Sequence, residues 1–162
     1  MVMAASCSDE PLRDPLADAR PGTVELHLQA DIDQVNVTRA DDNGFADGDR
    51  IGVFVVNYRD GVPGTLESSG NQADNVAFTL DYDMNSWNSV SPVYWKDAQT
   101  PADVIGYYPY NANPGDVSDY TFEVAADQSE RPEGEMCAYE ASDLLWGKAS
   151  AVTPGDKVNL TF

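Results

Sequence analysis

Few residues of this chain have the types and spacing that catalysis needs. Its 162 residues include a single histidine, His27. No G-x-S-x-G, H-E-x-x-H or glycine-rich phosphate-binding pattern occurs. Carboxylates are abundant, with 28 Asp and Glu, so any pair chosen from the sequence for glycoside hydrolysis is arbitrary. We therefore predict that the protein is not an enzyme and uses no cofactor.

An acidic stretch offers oxygen atoms of the kind that bind Ca²⁺. Its two parts are Asp41–Gly44 and Asp47–Asp49. The spacing differs from that of an EF-hand loop, because Phe45 stands where that loop has an oxygen ligand. Asp, Asn and Gly are also the usual residues of turns. We predict turns here and no metal site.

Two other residues indicate processing. Cys7 follows Ala-Ala-Ser and precedes Ser-Asp-Glu-Pro, a pattern similar to a bacterial lipoprotein cleavage site, although no basic and apolar signal regions precede it. The alternative is an ordinary cysteine in a flexible terminus. Arg39 is the single basic residue within QVNVTRADDNGFADGD. This polar stretch predicts a loop that a protease can reach.

The aromatic residues in the middle of the chain allow two interpretations. Trp87, Tyr94 and Trp95 could form a platform that stacks on sugar rings. Packing in a core is the commoner use of such side chains. Carbohydrate binding by these three residues is therefore kept as the alternative function.

We expect the rest of the chain to be organised around the stretch Thr23–Asp33. Its apolar side chains alternate with polar ones over the whole length, which is typical of a half-buried β-strand. The predicted inward face consists of Val24, Leu26, Leu28, Ala30 and Ile32. At about 1.5–3 kcal/mol for each large side chain, its burial contributes on the order of 10 kcal/mol. Whole domains are stable by only about 5–15 kcal/mol, so losing this strand would open the domain.

Further strands are predicted at 49–58, 76–82, 104–109, 120–124, 144–149 and 158–162. The strand at 49–58 is apolar on both faces and is expected at the centre of a sheet. In 76–82, Val76, Phe78, Leu80 and Tyr82 are expected to point inward. Turn signals separate the strands and no stretch has a helical period, so we predict an all-β fold, an antiparallel β-sandwich of about seven strands. Residues 1–22 are expected to be a lipoprotein-type terminus and tether, and residues 23–162 the domain.

The charge of the chain limits its partners. The net charge is −19, and no basic patch occurs. Such a surface repels nucleic acid and anionic lipid headgroups. No apolar run reaches the length of about 18 residues that a membrane-spanning helix needs.

Several short motifs, taken in order, resemble a known family. They are Cys7 with its acidic neighbours, Thr38-Arg39-Ala40, Phe45 through Gly48-Asp49-Arg50-Ile51-Gly52-Val53-Phe54, Trp87, Tyr94-Trp95, Gly106-Tyr107-Tyr108-Pro109, Ser142–Gly147 and Val158–Phe162. Each is weak alone, but their order and spacing resemble the N-terminal domain of the fimbrillin-like (Mfa-like) family, the subunits of type V pili. The similarity extends from Cys7 to Phe162.

The resemblance implies a function and a fold. Family members are exported as lipoproteins and contain two transthyretin-like β-sandwich domains. An arginine-specific protease removes the first strand, and a strand from the next subunit fills the groove. This implies lipid on Cys7 that anchors the protein to the outer membrane, cleavage after Arg39, other pilin subunits as partners and a role in cell adhesion as part of a surface fimbria.

The resemblance also distinguishes Arg39, the expected cleavage site, from the neighbouring arginines. Cleavage after Arg13 or Arg20 would free only the tether. Arg50 opens the central strand and is expected to be protected. The family's second domain would follow the strand at 158–162, where this sequence ends, so a C-terminal domain is expected to be missing from it.

Overall fold

The computed structural model describes residues 22–32, 44–129, 138 and 140–162, and these residues form an all-β domain. Seven strands occur in chain order, with one 3₁₀ turn at Glu140–Ser142. The strands are β1 (Leu28–Asp31), β2 (Arg50–Asn57), β3 (Ala73–Asp81), β4 (Ser86–Ser89), β5 (Ala102–Tyr108), β6 (Leu145–Val152) and β7 (Val158–Thr161). The predicted all-β fold with about seven strands is confirmed.

One hydrogen-bonded sheet contains all seven strands, in the order β6-β5-β2-β3-β4-β1-β7. Neighbouring strands are antiparallel except β1 and β7, which run parallel. The sequence predicted antiparallel pairing throughout. The difference arises because β1 and β7 are far apart in the chain, so no hairpin turn fixes their relative direction.

The sheet curls until its two end strands approach each other. A Cβ atom added to Gly147 of β6 would lie 2.7 Å from the carbonyl oxygen of Thr161 in β7. Gly106 of β5 is the cross-strand partner of Gly147. A Cβ atom on Gly106 would lie 3.1 Å from the ring of Phe162. Gly106 and Gly147 lie side by side and have no side chains. The end of β7 occupies the space that this leaves and so closes the sheet.

Apolar side chains fill both faces of the central strands. The larger cluster takes Ile51, Val53 and Val55 from one face of β2, and a smaller cluster contains Phe54 and Val56 from the other face. β2 is buried along six of its eight residues. The prediction that this strand is covered on both sides is confirmed.

Two sequence predictions differ from the structure. Tyr82 was expected to point inward, but it is 66% exposed because β3 ends at Asp81 and the chain turns there. Residues 120–124 form no strand; instead the ring of Tyr120 packs on Tyr107, with the ring centroids 5.5 Å apart. The alternating apolar and polar residues of this segment belong to a loop that covers the outer face of the sheet.

One buried carboxylate lies among the strands. Asp103 of β5 is 3% exposed. Its Oδ2 atom is 2.7 Å from Lys148 Nζ, and its Oδ1 atom accepts a hydrogen bond of 3.0 Å from the backbone N–H of Ala151. Desolvation acts to raise the pKa of Asp103, but Lys148, Ala151 and the Tyr58 hydroxyl together hold that pKa below its ordinary value. This group links β5 to β6.

No helix in the described part of the chain has both the length and the apolar character needed to cross a membrane.

Candidate functional site: the first strand and its groove

The segment from Val24 to Asp31 pairs with two different parts of the chain. In its first half, the N–H of Leu26 donates to Val93 O at 2.8 Å and the N–H of Trp95 donates to Val24 O at 2.9 Å. In its second half, strand β1 pairs with β7 in parallel. The regular strand is therefore only Leu28–Asp31, shorter than the predicted Thr23–Asp33, because the segment changes partner in the middle.

Strand β1 lies between β4 and β7. Leu28 is opposite Trp87 on the β4 side and opposite Val158 on the β7 side. The N–H of Val158 donates to His27 O at 2.8 Å, and the Trp87 Nε1–H donates to Ala30 O at 3.3 Å. Without β1, strands β4 and β7 would lose the partner that joins them.

The side chains of this segment alternate between the core and the solvent. Leu26, Leu28 and Ala30 are at most 4% exposed and belong to the larger core cluster, together with Trp87 and Leu160. Val24 and Ile32 are partly buried, whereas Glu25, His27 and Asp31 are exposed. Removing the segment would leave an apolar groove lined by core side chains.

Arg39 and Cys7 both lie outside the described residues. From Gly44 onward the chain contacts strands other than β1. The ring of Phe45 makes edge-to-face contacts with Trp87 and Tyr108, with ring centroids 5.1 and 5.4 Å away. The N–H of Gly48 donates to Leu80 O at 3.0 Å. Sequence reasoning missed the role of Phe45, for which the available signal was an isolated aromatic residue in a polar loop.

The two arginines in the described part of the chain have hydrogen-bonded backbones. Arg50 pairs with Thr79 in the ladder between β2 and β3, and its guanidinium lies 4.5 Å from the centroid of the Tyr110 ring. Arg59 was not considered from the sequence. It is exposed, but two hydrogen bonds of 2.9 Å with Val62 hold it in a tight turn.

The three residues of the predicted sugar platform do not form one surface. Trp95 is fully buried and Trp87 is 4% exposed, both in the larger core cluster. Tyr94 alone is accessible, at 39%. The burial of both tryptophans agrees with core packing, the interpretation that the sequence favoured over the platform.

The acidic stretch after β1 is partly described. Asp47 Oδ1 accepts a hydrogen bond from the N–H of Tyr82 at 3.0 Å, and Asp49 Oδ2 accepts one from the N–H of Ala46 at 2.8 Å. These bonds stabilise turns. Within the described ranges, no group of three or more His, Cys, Asp or Glu side chains is placed to hold a metal ion.

Comparison with known proteins relates the chain to a family. The sequence model of the family described as fimbrillin-like matches residues 38–162. The match includes β2 to β7 and begins after β1. No curated protein sequence matches the chain.

Two solved structures from Bacteroides ovatus have a similar fold. A fimbrial protein is 23% identical at a TM-score of 0.50, over 85% of this chain and 27% of its own. A candidate cell adhesion protein is 19% identical at a TM-score of 0.58, over 88% of this chain and 52% of its own. This chain therefore spans about a quarter of the first protein and about half of the second.

Proposed function

Since the chain belongs to the fimbrillin-like family, we propose that it is a structural subunit of a cell-surface fimbria and acts in cell adhesion. The finer proposal is that it is made as a lipoprotein precursor, activated by cleavage after Arg39, and assembled by exchange of its first strand for a strand of another subunit. The observation that carries this proposal is the position of β1 between β4 and β7, with its apolar face in the core.

The contacts of β1 support exchange over simple loss. A stripped domain would expose the groove around Trp87, Val158 and Leu160 and leave the edges of β4 and β7 unpaired. Such a state is unstable in water, because burial of a Leu side chain alone is worth about 1.5–3 kcal/mol. A strand from another subunit with the same alternation would restore both the hydrogen bonds and the apolar contacts.

The anchoring of the chain on both sides of Arg39 supports the cleavage site. Upstream, β1 is held by hydrogen bonds and packing; downstream, Phe45 and Gly48 are fixed to other strands. A cut at Arg39 would leave the upstream segment attached by noncovalent contacts alone. The same cut at Arg50 would break the ladder of a central strand.

Cleavage can be tested with purified protein and an arginine-specific protease. We expect a product that begins at Ala40, followed by multimers in size-exclusion chromatography. Arg39→Lys should resist cleavage while keeping the charge, and Arg50→Lys should be processed like the original chain. Cleavage at Arg59 instead, or a cut product that stays a folded monomer with its first strand bound, would contradict the proposal.

Lipid on Cys7 is proposed as the attachment to the outer membrane before assembly. Metabolic labelling with palmitate in a bacterial host that processes lipoproteins should label the chain, when it is expressed behind a lipoprotein signal peptide. Cys7→Ser should abolish the label, whereas Cys137→Ser should retain it. Equal labelling of the Cys7→Ser variant would exclude this attachment.

A further inference from the structure

Strand β1 is held unequally along its two edges. It pairs with β7 at four successive residues, from Leu28 to Asp31. With β4, the strand pairs only at Leu28 and Trp87 among the described residues. Beyond that pair, the indole Nε1–H of Trp87 donates to Ala30 O at 3.3 Å. The end of β1 is therefore bonded to β4 through a side chain, at the place where the backbone ladder between these strands ends.

A hollow of about 160 Å³ lies at this place. Its lining includes Ala30 and Ile32 from the inward face of the first strand, together with Phe45 and Leu80. Ala30 and Leu80 are 3% and 7% exposed and belong to the larger core cluster, and Phe45 packs against that cluster. Exposed polar residues, Asp31 among them, line the rest. The hollow thus has an apolar floor and a polar rim, and we call it the β1 hollow.

The β1 hollow has room for a side chain of several carbon atoms. In another protein, an engineered apolar cavity of about 150 Å³ holds a molecule of benzene. The side chain of Ala30 ends at its Cβ atom, whereas Leu26 and Leu28 fill the core at the two preceding inward positions. A strand with a larger apolar side chain at position 30 would therefore bury apolar surface that the resident strand leaves uncovered.

The position of the hollow relates it to the proposed cleavage. Ile32 and Gly44 both line it, and they are the last described residue before Arg39 and the first one after it. Phe45, next to Gly44, contacts Trp87 with the ring centroids 5.1 Å apart. A cut after Arg39 would remove the covalent connection between these two walls of the hollow. The resident strand would then be bound by its own contacts alone.

Exchange needs an energetic reason, because the cut resident strand already occupies its groove. A replacement with the same contacts has no advantage, since only a difference in affinity shifts the equilibrium. The β1 hollow provides such a difference. Burial of one CH₂ group changes a binding constant by roughly fourfold. Three additional carbon atoms at position 30 therefore allow a gain of about tenfold or more, after the loss of rotamer freedom is subtracted.

We propose that the β1 hollow is the side-chain pocket that selects the strand of another subunit. That strand carries an apolar side chain of at least the size of leucine at the position of Ala30, and it keeps apolar side chains at the positions of Leu26 and Leu28. It then binds more tightly than the resident strand and displaces it. This inference rests on the proposed function, because it concerns a first strand that is exchanged.

The fit of the hollow is tested in the uncleaved full chain, where no exchange is needed. We expect Ala30→Leu to raise the urea midpoint of unfolding, because the added carbon atoms fill the hollow. The matched control is His27→Leu, which adds an apolar side chain to the exposed face of the same segment and should change the midpoint little. A lower midpoint for Ala30→Leu would mean that position 30 is already tightly packed, and it would overturn the proposal.

Selection is tested by peptide binding to the full chain after treatment with the arginine-specific protease. Fluorescently labelled peptides of residues 23–33 carry the original sequence, Ala30→Leu or His27→Leu, and fluorescence anisotropy measures their affinity in competition with the resident strand. We expect the Ala30→Leu peptide to bind at least about tenfold more tightly than the original peptide. The His27→Leu peptide should bind within about twofold of the original one.

The outcomes separate the pocket from the exchange itself. Equal affinity of the original and Ala30→Leu peptides would overturn the pocket and leave strand exchange standing. Equally tight binding of the two leucine variants would assign the gain to general hydrophobicity, and would also overturn the pocket. If no peptide binds although Ala30→Leu stabilises the uncleaved chain, the first strand is permanent, and both strand exchange and this inference are wrong.

Discussion

At the scale of single residues, Asp103 shows how a buried charge is retained in an apolar sheet. Its carboxylate has lost most of its hydration, and an isolated charge in that position would be expensive. Lys148, Ala151 and Tyr58 replace the lost water, and their combined effect exceeds that of desolvation, so the pKa of Asp103 falls below its ordinary value. Stability should therefore depend on the ionisation of this one residue.

We expect Asp103→Asn to lower the free energy of unfolding by about 1–3 kcal/mol at pH 7, because it removes the ion pair and weakens the bond to Ala151. A depressed pKa stabilises the folded state above the unfolded pKa, near 3.9, and this contribution is lost as the pH falls through the lower, folded value. The original chain and the variant should therefore converge in acid. Urea unfolding from pH 7 to pH 2 measures this.

A control for that experiment is Asp83→Asn, on an exposed turn. It removes one carboxylate without disturbing a buried network and should change stability by less than about 0.5 kcal/mol. If the difference between the original chain and Asp103→Asn stays constant down to low pH, ionisation of Asp103 is not its source.

The residue types in the sequence predicted part of the candidate site. The alternation of Thr23–Asp33 was visible in the sequence, and burial in the structure follows it. For Trp87 and Trp95 the sequence favoured packing in the core but left a binding surface open, because aromatic side chains serve both uses. Only the arrangement of neighbouring strands decides between these uses.

At the scale of elements, strands with strong apolar patterns were predictable and the others were not. β2 and β5 are rich in Val and Ile and were found from the sequence. β4, with the sequence SWNS, has one apolar side chain and was missed. Its pairing with β3 and β1 is imposed by its position after the turn at Tyr82–Asn85. Tertiary context overrides weak local preference in such strands.

The inward face of β1 gives a prediction at this scale. We expect Leu28→Ala to lower the free energy of unfolding of the uncleaved chain by about 2–4 kcal/mol, because it leaves a cavity beside Trp87 and Val158. His27→Ala is the matched control. It is one residue away on the exposed face and should cost less than about 0.5 kcal/mol.

Urea unfolding of the two variants measures the difference. Similar values for both would mean that the contacts of β1 contribute little to stability. The segment could then be lost without opening the domain, and the energetic argument for strand exchange would fail. A large loss of stability in Leu28→Ala, with little loss in His27→Ala, would agree with a first strand that is held to the domain by its apolar face.

At the scale of the whole molecule, the shortest strands complete the sheet. β1 and β4 contain four residues each, yet β1 is the link between β7 and the rest of the sheet order. From the sequence, an exchangeable first strand was favoured, and a permanent strand was the alternative. The parallel pairing with β7 adds a physical reason for exchange, because no hairpin turn ties β1 to its partner and a separate chain can take the same place.

The charge of the molecule then limits how fast subunits can associate. The full chain has a net charge of −19, and residues 1–39 hold only seven of its 28 Asp and Glu residues, so the cleaved chain stays strongly acidic. Two such copies repel each other over the Debye length, about 10 Å in 0.1 M salt and about 3 Å in 1 M salt. The contacts that would join them are apolar and are not weakened by screening. We therefore expect multimers of the protease-treated chain to form severalfold faster in 0.5 M NaCl than in 0.05 M NaCl, as measured by light scattering.

An uncharged solute at the same osmolarity is the control and should have little effect. Slower assembly in salt would show that ion pairs between subunits, and not the insertion of an apolar strand, determine the rate.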